Sequence, residues 1–290
     1  MKLAIPGTAD DIAGHLDLEA SHPFFGSVSD ADHFACTAML PNLPTKPGPV
    51  RIMDFGGGQG LLLERCMRLL AKEGVQCDAL LVDANPTFVA RAHARGIAAV
   101  VSDISSYVGQ PADIILMRLV LHYNSEAAQQ AMIANVRRHL RPDGLFILQY
   151  ETSPALGCEL RNRVATFCAE ATGMRARYWA SAEVLKRWLH DAGFAQVVDV
   201  AQHHYESDVI ALLRNAWQRQ APVLVSHGLR EEAFHRACAD IVFEYYPLAG
   251  ENVLYRKEGR LILSTSYPIV CARQATSTVA QTSGGSSDEQ

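Results

Sequence analysis

The sequence predicts an α/β protein in which a mainly parallel sheet is covered by helices on both faces. Three observations carry that expectation. Short apolar runs alternate with helix-period segments five times between Val50 and Tyr150. The runs are apolar throughout rather than at every second residue, as strands buried on both faces are. The first run, VRIMDF, passes directly into GGGQG, a loop whose bareness suits a tight turn or the close approach of a ligand.

The elements follow in order. Four prolines within residues 41–49 form a linker into the main domain, because each removes a donor and fixes φ. VRIMDF is the first strand. Leu62, Cys66, Leu69 and Leu70 then share one face of a helix. ALLVD (79–83) is the second strand. Pro86 opens the next helix at its favoured first position, and Gly96 closes it. AAVV (98–101) and DIILM (113–117) are strands three and four. Ser125 caps a helix whose inner stripe is Ala128, Met132, Ile133, Val136 and Leu140, stopped by Pro142. LFILQY (145–150) is the fifth strand. Residues 155–179 read as helical, Ser181 caps a helix through Leu189, QVVDVA (196–201) is a strand, and roughly 207–245 is mostly helical. A last strand pair falls near 253–272. The polar, Ser/Thr/Gly-rich end of the chain reads as disordered.

Bulk properties bound the function. Of 290 residues, 49% are apolar, enough for a sizeable core, and the formal net charge is −5. That balance disfavours nucleic acid or an anionic membrane as partner. No run of about 18 apolar residues is present, so no membrane span is expected. The opening MKLAIPGTADD has no long apolar stretch, so no secretory leader is expected either. The seven cysteines contain no CxxC, which argues against a zinc site or a disulfide framework and for a reduced, cytoplasmic protein.

The glycine loop allows three readings. A kinase Asp-Phe-Gly follows a His-Arg-Asp loop and a strand lysine, and neither precedes Asp54. A dinucleotide fingerprint needs GxGxxG, which fails in every register. What stands there is DxGxGxG: Asp54, Gly56, Gly58 and Gly60, after a strand and before a helix. Free N–H groups at that helix start suit a phosphate or a carboxylate, and no P-loop lysine follows. Asp83 ends strand two, where an acid can accept ribose hydroxyls. Asp103 follows strand three with Ile104 beside it, a carboxylate and an apolar side chain suited to adenine. Together these face the crevice at the strand C-termini.

This ordered set resembles the class I S-adenosylmethionine-dependent methyltransferases of the small-molecule type. The resemblance rests on DFGGGQG, LLVDANP, VVSDI, ADIILMRLVLHY, LRPDGLFIL and SAEVLKRWLHDAGFAQVVDV. It covers about two thirds of the chain. Gly57 departs from it, standing where many members have Cys or Ser. The resemblance implies a Rossmann-like, mainly parallel seven-stranded sheet with a helical lid, and S-adenosylmethionine as cofactor. It places Asp54, Gly56, Gly58 and Gly60 at the methionine part, Asp83 and Ala84 at the ribose, Asp103 and Ile104 at the adenine, and Met117 and Arg118 near the sulfonium. The domains expected are an N-terminal lid segment and linker (1–48), a methyltransferase domain (49–272) with helical substrate-cap insertions at about 155–180 and 203–250, and a tail (273–290).

The expected acceptor is a small molecule, methylated at oxygen, nitrogen or carbon, plausibly in specialised-metabolite (natural product) biosynthesis. The Asn/Asp-Pro-Pro-Tyr/Phe element of nucleobase and amide methylation is replaced by MRLVLHYN. Cap aromatics (Phe24, Phe25, Tyr178, Trp179, Trp217, Tyr245 and Tyr246) suit a flat or apolar metabolite. His122 after strand four is the leading candidate base, Glu151 past strand five a substrate contact, and His204 in HHYESD a further base. Adjacent residues on regular structure point apart, so a metal site in HHYESD is not expected. The alternative is a Rossmann-like NAD-binding oxidoreductase or a non-catalytic cofactor-binding subunit. A homodimer is the oligomeric state to test.

Overall fold

A computed structural model describes residues 28–173, 177–250 and 252–275. Phe24, Phe25, most of the N-terminal segment and nearly all of the tail lie outside the described residues. The strands are β1 (Val50–Phe55), β2 (Cys77–Asp83), β3 (Ala99–Val101), β4 (Ala112–Arg118), β5 (Leu140–Gln149), β6 (Phe194–Asp208), β7 (Leu254–Lys257) and β8 (Arg260–Gln274). Their order is β3-β2-β1-β4-β5-β8-β6, with β7 paired to β8. The first five pair in parallel, and β8 runs antiparallel to β5, β6 and β7. The seven-strand path is as expected, and the short β7 adds an eighth strand beside it.

Helices cover both faces: α1 (Val28–Phe34), α2 (Leu61–Lys72), α3 (Pro86–Ala94), α4 (Glu126–His139), α5 (Ala155–Thr172), α6 (Ala182–Asp191), α7 (Val209–Ser226) and α8 (Glu231–Tyr245). Burial explains the unbroken apolar strands. Ile52, Ile114, Leu116 and Ile147 pack with α1, α2 and α3 on one side. Met53, Phe55, Ile115, Met117 and Phe146 pack with α4 and α6 on the other. Each such side chain taken fully from water contributes roughly 1.5–3 kcal/mol. Side-chain oxygens cap α3, α4 and α6: Asn85 accepts from Thr87 N at 2.9 Å, Ser125 from Ala128 N at 3.4 Å and Ser181 from Val184 N at 3.4 Å.

Two expected boundaries move. Residues 203–208 are strand, not helical cap, because β6 stays paired with β8 as far as Asp208 opposite Ile262. Asp208 then caps α7 through Ile210 N and Ala211 N, so strand passes into helix without a loop. At the other end β8 reaches Gln274, past the expected domain limit of 272, because its last residues pair with Phe194 and Gln196 at the start of β6. The described part of the N-terminal segment packs on the sheet: Ala35 and Ala38 join the core, and Arg65 of α2 holds Asp32 of α1 through two bonds of 2.7 and 2.6 Å. α5, α7 and α8 form a second layer over β7 and β8, with their own apolar centre around Leu160, Val209, Ile241, Val242 and Leu263.

Candidate active site

The order of strands reverses between β1 and β4, which opens a crevice at their C-terminal ends. The glycine loop closes one side of it. Gly56, Gly58 and Gly60 have φ of 73°, 57° and 86°, the left-handed region that side chains resist. Space is also missing. A Cβ on Gly56 would lie 2.5 Å from Val120, on Gly57 2.5 Å from the Asp54 carboxylate and on Gly60 2.5 Å from Ile97. The loop is therefore a cradle that only glycine can form.

Two acids sit beneath it. Asp83 accepts from Gly58 N at 2.9 Å and from Asn85 N at 2.8 Å, so its carboxylate fixes the loop to the end of β2. Burial pushes its carboxyl up, and the two N–H groups pull it back. Asp54 is only 1% exposed, and among the described residues neither of its carboxylate oxygens has a hydrogen-bond partner. Burial, then the charge of Asp83, push its carboxyl up to about 7, against the pull of Arg118. A buried carboxylate left unsatisfied is costly. It fits a ligand that brings a cation or N–H donors, as the methionyl end of S-adenosylmethionine does.

The other crevice residues divide. Arg118 donates Nε to Gln149 Oε1 at 2.9 Å, and the next residue, Leu119, holds φ at 58°, a strained conformation placed at the end of β4. Met117 is fully buried in the core and Ala84 is exposed. Asp103 is exposed and accepts from Ser105 N and Oγ, both at 2.7 Å. Ile104 does not present the open face expected of it. Its side chain packs with Met53, Phe55 and Tyr107, while Asn135 holds the carbonyls of Ile104 and Tyr107 at 2.6 and 3.0 Å.

Beyond the end of β4 lies a cavity of about 400 Å³ between the sheet and the α5–α7–α8 layer. His122 and Glu151 stand on its wall together. His122 is 4% exposed, and its Nε2 lies 3.4 Å from Glu151 Oε2. Arg161 of α5 pairs with the other Glu151 oxygen and donates to Thr265 Oγ1 at 2.6 Å. Burial acts to raise the Glu151 carboxyl. The charges of Arg161 and His122 outweigh it and hold the group at about 2. The Trp179 ring stacks on His122 at 6.0 Å between centroids, and Arg161 lies over its face at 5.7 Å. The Trp179 backbone is fixed by Asn162, which accepts from its N–H at 2.7 Å and donates to its carbonyl at 3.0 Å.

His204 is not brought to this cluster. It sits on β6 opposite Ser266, exposed, with Nδ1 3.2 Å from the Ser266 hydroxyl, and it is absent from the cavity wall. The cap aromatics separate likewise. Trp179 lines the cavity, whereas Trp217 is core between α5, α7 and α8. Arg161 had no signal in the sequence, because it is one polar residue within a helix that carries no motif.

Comparison with known proteins agrees with this architecture. A family model described as a methyltransferase domain matches residues 28–199. The chain is 31% identical over 127 residues to the non-reducing polyketide synthase pks11 of Talaromyces marneffei. It is 26% identical over 139 residues to the non-reducing polyketide synthase tazA of Aspergillus terreus. The matches cover 41% and 46% of this chain, which spans 5% of the length of each relative. Among solved structures, a candidate methyltransferase from Bacillus halodurans superposes with a TM-score of 0.56 at 15% identity, over 85% of this chain and 99% of the other. The Bacillus subtilis YcgJ protein does so at 0.51 and 15%, over 78% and 92%, and both establish likeness of fold. The family match takes in more than half of the chain and coincides with the strands that build the glycine cradle, so this chain belongs to the methyltransferase-domain family.

Proposed function

We propose that the protein methylates a small molecule held in the cavity beside His122, with His122 as general base and Glu151 as its orienting partner. The His122–Glu151 pair at 3.4 Å on the cavity wall carries this reading. Asp54, Asp83 and the glycine cradle would hold the cofactor, together with Asp103 and the backbone at the Leu119 turn. S-Adenosylmethionine, when bound, supplies an electrophilic methyl group on a positively charged sulfur. The residues of this chain then align the acceptor, exclude water and remove a proton. Glu151 stays ionised because Arg161 stabilises its charge. Facing Nε2, it holds the imidazole in one orientation. His122 takes the proton released by the acceptor, and the resulting imidazolium is balanced by Glu151.

Residues 155–180 and 203–250 act as the substrate cap in this reading. The likeness to two non-reducing polyketide synthases supports an acceptor from natural product biosynthesis. The test is His122→Gln, assayed by transfer of labelled methyl to a panel of phenolic and 1,3-dicarbonyl metabolites. S-Adenosylhomocysteine binding monitors the cofactor half. Loss of transfer of about 100-fold or more with binding retained supports the base. Transfer at the wild-type rate rejects it.

A further inference from the structure

The cavity has two ends of different chemistry. His122, Glu151, Arg161 and Tyr267 make one end polar. The other lies between α5 and α7, where Val164, Leu212 and Leu213 pack against an apolar cluster containing Leu160, Val242 and Leu263. Val164, Leu212 and Leu213 remain only partly buried. The residues beside them on the cavity wall include Ala165 and Ala169 of α5 and Ala216 of α7, short side chains that leave space between the helices, with Asn215 and Gln220 of α7 as the polar members. Apolar side chains left half-covered inside a cavity favour an apolar guest.

Charge limits what the head of that guest can be. Among the described residues the wall carries Arg161, Arg177 and Arg260 against Glu151, Glu206 and Asp208, so the signs balance. Arg161 is already neutralised by Glu151, and Arg260 lies 3.2 Å from Glu258. An anionic head at Arg161 or Arg260 would displace an existing pair, at a cost in desolvation, and Arg177 is engaged over the Tyr123 ring at 5.0 Å.

We propose that the acceptor is an uncharged amphiphile. Its hydroxyl- or carbonyl-bearing head lies at His122, and an apolar tail of several carbons runs between α5 and α7. This rests on the cavity being the acceptor site, but not on His122 being the base.

A series of 4-n-alkylphenols from ethyl to octyl, titrated calorimetrically into protein saturated with S-adenosylhomocysteine, tests it. Each added methylene is expected to tighten the Kd about fourfold until the cavity is full, the fold-change that corresponds to burying one CH₂ at ~0.8 kcal/mol. The 4-n-alkylbenzoates of equal length are expected to bind at least tenfold more weakly. Ala169→Phe is expected to bring the plateau to a shorter chain, with S-adenosylhomocysteine affinity reporting that the variant is folded. Affinity that does not change with chain length, or benzoates that bind as well as phenols, overturns the proposal. If length dependence appears while His122→Gln leaves transfer intact, the base assignment fails and the amphiphile stands. If transfer needs His122 but chain length has no effect, the amphiphile fails alone.

Discussion

Nε2 of His122 lies 3.4 Å from Oε2 of Glu151, on the wall of the cavity beyond the end of β4. The two residues come from neighbouring strand ends, 118 and 149 being the last residues of β4 and β5. The register Arg118↔Gln149 brings the two strand ends side by side, and the turn at Leu121–Tyr123 then carries His122 to Glu151. Glu151→Gln keeps the shape and removes the charge that balances an imidazolium. We expect kcat to fall about 10²–10³-fold with little change in cofactor affinity. Single-turnover methyl transfer alongside calorimetry separates the two effects.

Arg161 makes a distinct prediction. It pairs with Glu151 and Thr265 and stacks on Trp179. Arg161→Met leaves a buried carboxylate without its cation, so the Glu151 carboxyl should rise from about 2. The acid limb of the pH–rate profile should then move to higher pH. Arg161→Lys should restore charge but not the planar stacking, giving partial rescue. An unshifted acid limb in Arg161→Met would remove Arg161 from the positioning chain.

Stability should follow pH with opposite signs at the two buried acids. Glu151 is depressed from 4.5 to about 2, so its contribution is present above pH 4.5 and is lost as pH falls toward 2. Asp54 is raised from 3.8 to about 7, so the ligand-free fold loses stability as pH rises between those values. Asp54→Asn should therefore stabilise the ligand-free protein at pH 8, on the order of 1–3 kcal/mol, while weakening cofactor binding. Thermal melts at pH 5 and pH 8 read the first effect. Equal shifts at both pH values would refute it.

The glycine cradle gives the sharpest contrast in cofactor binding. Gly56→Ala places a Cβ 2.5 Å from Val120 in a residue with φ of 73°. It should destabilise the fold by roughly 1–3 kcal/mol and weaken S-adenosylhomocysteine at least tenfold. Asp83→Ala should cost about 1.5–3 kcal/mol for each charge-assisted bond lost. It also frees Gly58 N–H and Asn85 N–H from their acceptor. Wild-type affinity in both variants would place the cofactor elsewhere.

The parallel half of the sheet was legible because its strands are apolar on both faces and its turns carry glycine. Ser125 and Ser181 were legible as caps because a hydroxyl before an apolar stripe has few other uses. The length of β6 was not. Its residues are mostly exposed or half-buried, so neither period stands out, and only pairing with β8 keeps Ala201–Asp208 extended. His204 misled for the same reason, since HHYESD reads as the start of a cap until β8 lies beside it. The burial of Ile104 was not legible because a strand-end apolar residue can face either ligand or core, and Asn135, which fixes the loop from 31 residues away, has no local signature. The Arg161–Glu151 pair is equally a product of α5 being laid over β8, beside the end of β5.

The α7–α8–β7 segment lies between two strands, β6 and β8, that are paired along most of their length. It is an excursion that leaves and rejoins the sheet at one edge, while the glycine cradle and its acids are encoded entirely upstream, between Asp54 and Asp83. Inheritance of such a protein can proceed in two registers. On the proposed reading of residues 209–257 as part of the substrate cap, what is modified and how the methyl group is obtained are written in separate stretches of the chain.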